Sequence, residues 1–240
     1  MFQLPLLTMV LRDNSVRAQQ AVGVFQVLAV VLLLVVISDV WYIGELSAGH
    51  TPDEIDAYGL GLVHNLLPII EVLALVASFV VLIRWLRRAY WNMHALRLRL
   101  EHGEGWAAGA WSVPVLNMFR LYSIVKEVWR QTQLVAFERV QPHVLLRIWW
   151  IVFILDRLAG NASGRLASSA STTLQLQNAA SADIIAEVLG IASALLTMRV
   201  VQRIAGFEAQ MTLRLQVERI GEAVPIPAAE PDEDQSDYEY

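Results

Sequence analysis

The chain has no cysteine, which removes disulfides, thiolate metal sites and palmitoylation at once. It has almost no lysine: seventeen of its eighteen basic residues are arginine, a bias that fits a GC-rich bacterial genome and says nothing of function. None of its five histidines stands in an H-E-x-x-H frame, and it has neither a Gly-rich phosphate loop nor a G-x-S-x-G elbow. No catalytic residue, metal or cofactor is therefore expected. A retained first span is expected rather than a cleavable signal peptide. The first apolar run, 21–43, is longer than the roughly 7–15 residues of a signal's apolar region and ends without a small-residue cleavage site.

What is present is apolar sequence in long runs. Of 240 residues, 56% are hydrophobic and the mean hydropathy is +0.47, values of a membrane protein. The predicted fold is all-α, with four transmembrane helices at about 21–43, 66–83, 145–160 and 184–201, paired as two hairpins. Residues 1–20 form an N-terminal segment, 21–224 the membrane domain, and 225–240 an acidic tail too polar to bury a core. That tail carries six acids and no base, so the net charge of -5 leaves the rest of the chain near +1.

Charge orients the spans. Residues 44–65 hold four acids and no lysine or arginine; 161–183, rich in Ala, Ser, Thr and Gln, reads as a second outer loop with Arg165 its only base. Nine of the eighteen bases lie between Arg84 and Arg139. Positive charge marks the cytoplasmic side, so both termini and the layer 84–144 are expected inside a bacterial cell membrane.

That layer organises the chain. Leu82, Leu86, Ala89, Met93, Leu96 and Leu100 recur at helical spacing, with Arg84, Arg87, Arg88 and Arg97 mainly off the stripe, and no Gly or Pro intervenes before Gly103. One long helix leaving the membrane is predicted. Residues 106–119 are too few to span a bilayer and read as interfacial or re-entrant. Pro114 fits the first turn of a new helix with Ser112 as its cap. Beyond it Val115, Phe119, Tyr122, Val125 and Trp129 make an apolar stripe, with Asn117, Arg120, Lys126, Glu127 and Arg130 on the other side.

The order Arg87-Arg88-Ala89-Tyr90-Trp91-Asn92, then Gly105-Trp106, Trp111, Pro114, Asn117, Tyr122 and Glu127-Val128-Trp129-Arg130 resembles a bacterial membrane family known only as domain of unknown function 4328. The resemblance covers roughly residues 21–201. The chain departs from the family pattern at Leu121, where a Pro is expected, and at Ala110, where an aromatic is expected. The resemblance implies a topology and brings no activity.

Four carboxylates fall in four different spans: Asp39, Glu71, Asp156 and Glu187, all toward the outer ends. A carboxylate at the bilayer centre costs about 2.5–3.5 kcal/mol, less near its edges. Arg157 is the available cation. Adjacent helical residues point apart, so it is expected to reach Asp39 or Glu71 rather than Asp156. The cluster reads either as an outward-facing cation or proton site or as an ion-pair network that fixes helix packing. Asp39 and Asp156 lie 117 positions apart and Glu71 and Glu187 lie 116 apart, a spacing that fits a parallel repeat of the two hairpins.

The leading reading is a non-enzymatic module that binds anionic lipid headgroups, a membrane protein partner or a second copy of itself. Its contact residues are Arg84, Arg87, Arg88, Asn92, Trp106, Trp111, Pro114, Asn117, Arg120, Lys126, Trp129 and Arg130. The alternative is a cation or proton channel or transporter built on the four carboxylates. A membrane-embedded enzyme comes third. Interleaved Trp and Arg suit a membrane interface better than nucleic acid.

Overall fold

The computed structural model describes residues 11–101 and 114–223; the side chains of 114–120 and 221–223 lie outside that description. Every regular element among the described residues is helix: α1 Ser15–Ser47, α2 Pro52–Ala57, α3 Gly59–Ala95, α4 Pro114–Phe137, α5 Val144–Ser169 and α6 Thr173–Ala223. The tail 225–240, Trp106, Trp111 and the Ser112 cap fall outside the described residues.

Local chemistry sets the ends. Asp13 accepts from the Ser15 backbone N–H and hydroxyl at 2.9 and 2.8 Å just before α1. Thr51 and Glu54 form a capping box on α2, with Pro52 following the cap. Gly61 lets α2 fold back onto α3, because a Cβ there would sit 2.2 Å from the Ile55 carbonyl oxygen. The helix α4 begins on Pro114, where a missing N–H costs nothing. It runs unbroken through Leu121, the position where the family pattern has Pro, and Leu121 is buried.

Two expectations need correction. The region 161–183 is not an open loop: α5 continues to Ser169 and α6 starts at Thr173. Ala, Ser and Gln are only weakly disfavoured in helices. The Ser168 and Ser169 hydroxyls donate to the Arg165 carbonyl, each at 3.0 Å, and the Gln175 side chain accepts from the Ser171 N–H at 2.9 Å to restart the chain as helix. At the other end of the bundle α3 stops at Ala95, short of Gly103. Arg97 turns left-handed there (φ 52°), and the Leu98 N–H closes back on the Met93 carbonyl at 3.3 Å. Leu82, Leu86, Ala89, Met93 and Leu96 are buried, as their spacing predicts.

The long helix α6 is the centre of the bundle. It packs against α1 on one side and α5 on the other; α3 lies on α1, and α4 closes one end against α6. At that end Trp85, Leu86, Tyr90, Ile124, Val128 and Ile204 form a closed core. Outside, apolar side chains face away from the protein, including Val30 and Ile37 of α1, Ile69 and Leu73 of α3, and Val188 and Leu195 of α6. Among the described residues three helices, α1, α3 and α6, are long and apolar enough to cross a membrane. The end that α4 closes, where α1 begins and α6 finishes, is called the basic end below. The opposite end, with Asp39, Asp56, Glu71 and Asp183, is the acidic end.

Candidate functional site

Toward the acidic end polar side chains of α3, α5 and α6 come together beside α1. A cavity of about 50 Å³ lies among α1, α3, α5 and α6, lined by Glu71, Ser78, Asp156, Arg157, Glu187, Ser193 and Thr197 together with Phe25, Leu28 and Trp149. That volume holds a few waters. Above it opens a wider space of about 410 Å³, lined by Glu71, Asp156, Arg157 and Glu187 again and then by Asn161, Arg165 and Ser168. The same four charged side chains therefore border the inner cavity and its vestibule.

Their arrangement is specific. Asp156 is 6% exposed, and its Oδ2 accepts from Arg157 Nη2 at 2.8 Å. Arg157 thus pairs with its own neighbour, against the expectation that it reaches Asp39 or Glu71. The two Cα–Cβ bonds do diverge, but the flexible arginine stem is long enough to bring the guanidinium back. Arg157 also sits 5.8 Å from the Phe153 ring, and its Nε is buried without a partner. Glu187 is 7% exposed, and its Oε2 makes no hydrogen bond. A buried carboxylate oxygen without a donor is uncommon. Gly190, one turn on, gives the room: a Cβ there would meet Leu32 Cδ1 at 3.1 Å and Asp156 Oδ1 at 3.5 Å.

Hydrogen bonds cross the cavity floor. Trp149 Nε1 donates to Thr197 Oγ1 at 2.9 Å, and the Thr197 hydroxyl donates to the Ser193 carbonyl at 2.8 Å, which ties α5 to α6.

Asp39 sits in a neighbouring cavity of about 260 Å³, with Ser38, Tyr42, His64, Ser163 and Asp183. Asp39 and Asp156, 117 positions apart, border different cavities. His64 Nδ1 lies 2.9 Å from Ser38 Oγ and 3.8 Å from Asp39 Oδ1, and its ring stacks on Tyr42 with centroids 4.5 Å apart. Ser163 donates to Asp183. Asp39 Oδ2 is buried and has no N–H or hydroxyl donor, and the Asp183 carboxyl lies against Asp39. The sequence does not single out Asp183 and Ser163, because the region 161–183 reads there as a polar loop, nor His64, which falls in the outer segment 44–65.

At the basic end the proposed contact residues divide. Arg84, Arg87, Lys126 and Arg130 are exposed and Arg88 is half-buried. Asn92 and Trp129 are buried, at 4% and 5% exposure, and act as internal ties rather than contacts. Asn92 bonds the Arg12 backbone in both directions, at 3.0 and 2.9 Å. Trp129 packs edge-on against Phe207 at 5.0 Å. Glu127 is likewise buried rather than on a wet face. Pro114, Asn117 and Arg120 lie in the first two turns of α4, with side chains outside the description.

The profile of one protein family, Domain of unknown function (DUF4328), matches residues 53–206. No curated protein and no solved structure matches the chain.

Proposed function

Since the chain belongs to the DUF4328 family, whose description carries no activity, we propose a function from the site itself: a membrane-embedded conduit that takes up protons, or a monovalent cation in their place, at the acidic end. The observation that carries it is Glu187, a buried carboxylate with one oxygen free of any donor, which borders both the small inner cavity and the wider vestibule. Glu71, Asp156 and Glu187 border that vestibule, with Asp39 and Asp183 in the neighbouring cavity; of the two arginines on the vestibule, Arg157 is taken by Asp156 and Arg165 is exposed. Uncompensated charges in a membrane interior are costly. Positive charge supplied through the vestibule relieves that cost. No three acidic or histidine side chains among the described residues converge on one metal-sized point, which supports separate protons or a partly hydrated monovalent ion.

In this reading α5 is the fourth span. Its 26 residues reach about 39 Å, enough for the hydrocarbon core, and Ile148, Ile151, Leu155 and Leu158 form an exposed apolar stripe opposite the polar cavity. The basic end lies in the cytoplasm and the vestibule faces out. Single cysteines at positions 50 and 165 then react with an impermeant reagent on intact cells, and one at 203 does not. The reverse pattern overturns the orientation.

The functional test is flux in proteoliposomes under proton and monovalent-cation gradients, with thermal stability measured in parallel. Glu187→Gln and Glu71→Gln abolish flux at unchanged stability. The conduit is abandoned if the parent carries no flux under any gradient and stability falls only in Arg157→Gln.

A second reading, lipid binding at the basic end, is favoured by one observation. Burial and the neighbouring Arg88, Arg84, Arg12 and Arg87 hold Arg17 below the ordinary arginine value. Five arginines crowd one edge, a match for lipid phosphates at about 1 kcal/mol per base. Replacing Arg84, Arg87 and Arg88 by Gln then weakens selectivity for anionic lipid. Unchanged selectivity removes this reading.

A further inference from the structure

The basic end holds a second buried carboxylate, and a segment of the chain is fastened to it. Residues 11–15 cross the end of the bundle as a strap. Arg12 is held to Asn92 of α3 by two backbone hydrogen bonds, at 3.0 and 2.9 Å, and its guanidinium lies 3.9 Å from the Trp91 ring centre. Asn14 Nδ2 donates to Glu208 Oε2 at 3.0 Å, to Glu208 Oε1 at 3.2 Å and to the Trp85 carbonyl at 3.4 Å. Asn14 is 5% exposed and Glu208 7%. A cavity of about 380 Å³ borders both, lined also by Arg12, Asp13, Asn92, Thr212 and Gln216.

Asn14 Oδ1 is buried and accepts no hydrogen bond. An amide and a carboxylic acid are complementary: the amide N–H donates to the acid's carbonyl and the acid's O–H donates to the amide's oxygen. An ionised carboxylate has no O–H, so with it the amide oxygen stays orphaned and a charge stays buried. A proton taken from cytoplasmic water onto Glu208 converts COO⁻ to COOH. It removes the charge and supplies the missing donor in one step.

We propose that Glu208 is a second proton-binding site, at the cytoplasmic end, and that its proton latches the strap 11–15 onto α3 and α6. The direction agrees with its surroundings. Burial pushes the Glu208 carboxyl up to about 7, while hydrogen bonds from Asn14 and Asn92 pull it down and Asp13 adds to the rise. The charged groups facing it are Asp13 and Arg12 of the strap, with Arg88 of α3 beside Asp13. Glu208 stands seven residues beyond the apolar run 184–201, outside the span. It is also 21 residues from Glu187, about 31 Å along α6, close to the thickness of the hydrocarbon core. One helix thus carries a proton site near each face. The latch rests on the conduit reading for its orientation and for its link to flux, and on nothing else in it.

The experiment is a nitroxide on Leu11→Cys in the otherwise cysteine-free chain, reconstituted and followed by spin-label mobility from pH 5 to pH 9. The label is immobile in acid and loosens with a midpoint near 7. Glu208→Gln keeps it immobile throughout, because the amide mimics the protonated acid, and Asn14→Ala frees it throughout. A parent spectrum that does not change with pH overturns the latch, and so does a transition that survives in Glu208→Gln. Should Glu208→Gln fail to fold, an Asn14→Ala label that stays immobile overturns it as well. A transition without any flux in the parent keeps the latch and removes the conduit; flux without a transition does the reverse.

Discussion

Tyr90 Oη donates to Glu127 Oε2 at 2.6 Å, joining α3 to α4 across the basic end. The two residues belong to the two motifs that carry the family resemblance, Arg-Arg-Ala-Tyr-Trp-Asn and Glu-Val-Trp-Arg. The other Glu127 oxygen accepts the Glu101 backbone N–H at 2.5 Å. What the two motifs build at this point is a fastening: a carboxylate that holds a tyrosine and a loop amide together.

Tyr90→Phe removes one buried hydrogen bond and lowers stability by about 1–3 kcal/mol. Glu127→Ala removes both bonds and costs more. Thermal unfolding in detergent measures the two, and a Glu127→Ala protein as stable as the parent contradicts the fastening.

The tie between Trp149 and Thr197 makes a second test. Thr197→Val keeps the shape and leaves the indole N–H buried without an acceptor, at a cost of about 1–3 kcal/mol. Thr197→Ser keeps the hydroxyl and loses far less. Equal losses in both variants mean that packing by the methyl, and not the hydrogen bond, holds α5 to α6.

Arg157→Gln strands Asp156, which is 6% exposed. Breaking a buried pair costs about 3–5 kcal/mol. The Arg157 side chain is 34% exposed, so solvent screening reduces the expected loss to about 1–3 kcal/mol. Glu187→Gln has the opposite sign: it removes a carboxylate whose Oε2 has no donor, and stability holds or rises. Chemical denaturation of both variants checks the contrast, and destabilisation by Glu187→Gln contradicts the assignment of that oxygen as unpaired.

The pH dependence of stability isolates Glu208. Its carboxyl is raised to about 7 when folded, against 4.5 as a free group. The folded state therefore binds the proton more tightly, and the contribution is present below about 4.5 and lost as pH rises through about 7. Between pH 5 and pH 8 the parent loses melting temperature relative to Glu208→Gln. Parallel curves over that window exclude a raised Glu208.

At the acidic end the carboxylates were legible one by one and their partners were not. Asp39, Glu71, Asp156 and Glu187 stand out because a charge inside an apolar run has few explanations. Arg157 was assigned to the wrong carboxylate, because a rule about Cβ directions does not bind a side chain with four rotatable bonds. Asp183 was hidden in a segment whose Ala, Ser and Gln read as loop. Glu208 carried a signal that went unused: Ile204, Phe207, Glu208 and Met211 follow i, i+3, i+4, i+7, which puts the acid on the buried stripe.

The sequence by itself determined that the chain is helical, where its long apolar helices run, which ends carry positive charge, and the family to which it belongs. Those properties follow from periodicity and composition, which every residue reports locally. Only the tertiary structure decided that Glu71, Asp156, Arg157 and Glu187 share one cavity, that Asp39 belongs to the next, that Asn92, Glu127 and Trp129 face inward, and that Asn14 meets Glu208 from 194 positions away. Apolar burial is non-directional and fixes which face of a helix turns inward. Which polar groups then meet depends on the rotation and offset of whole helices against one another, and no single segment encodes that.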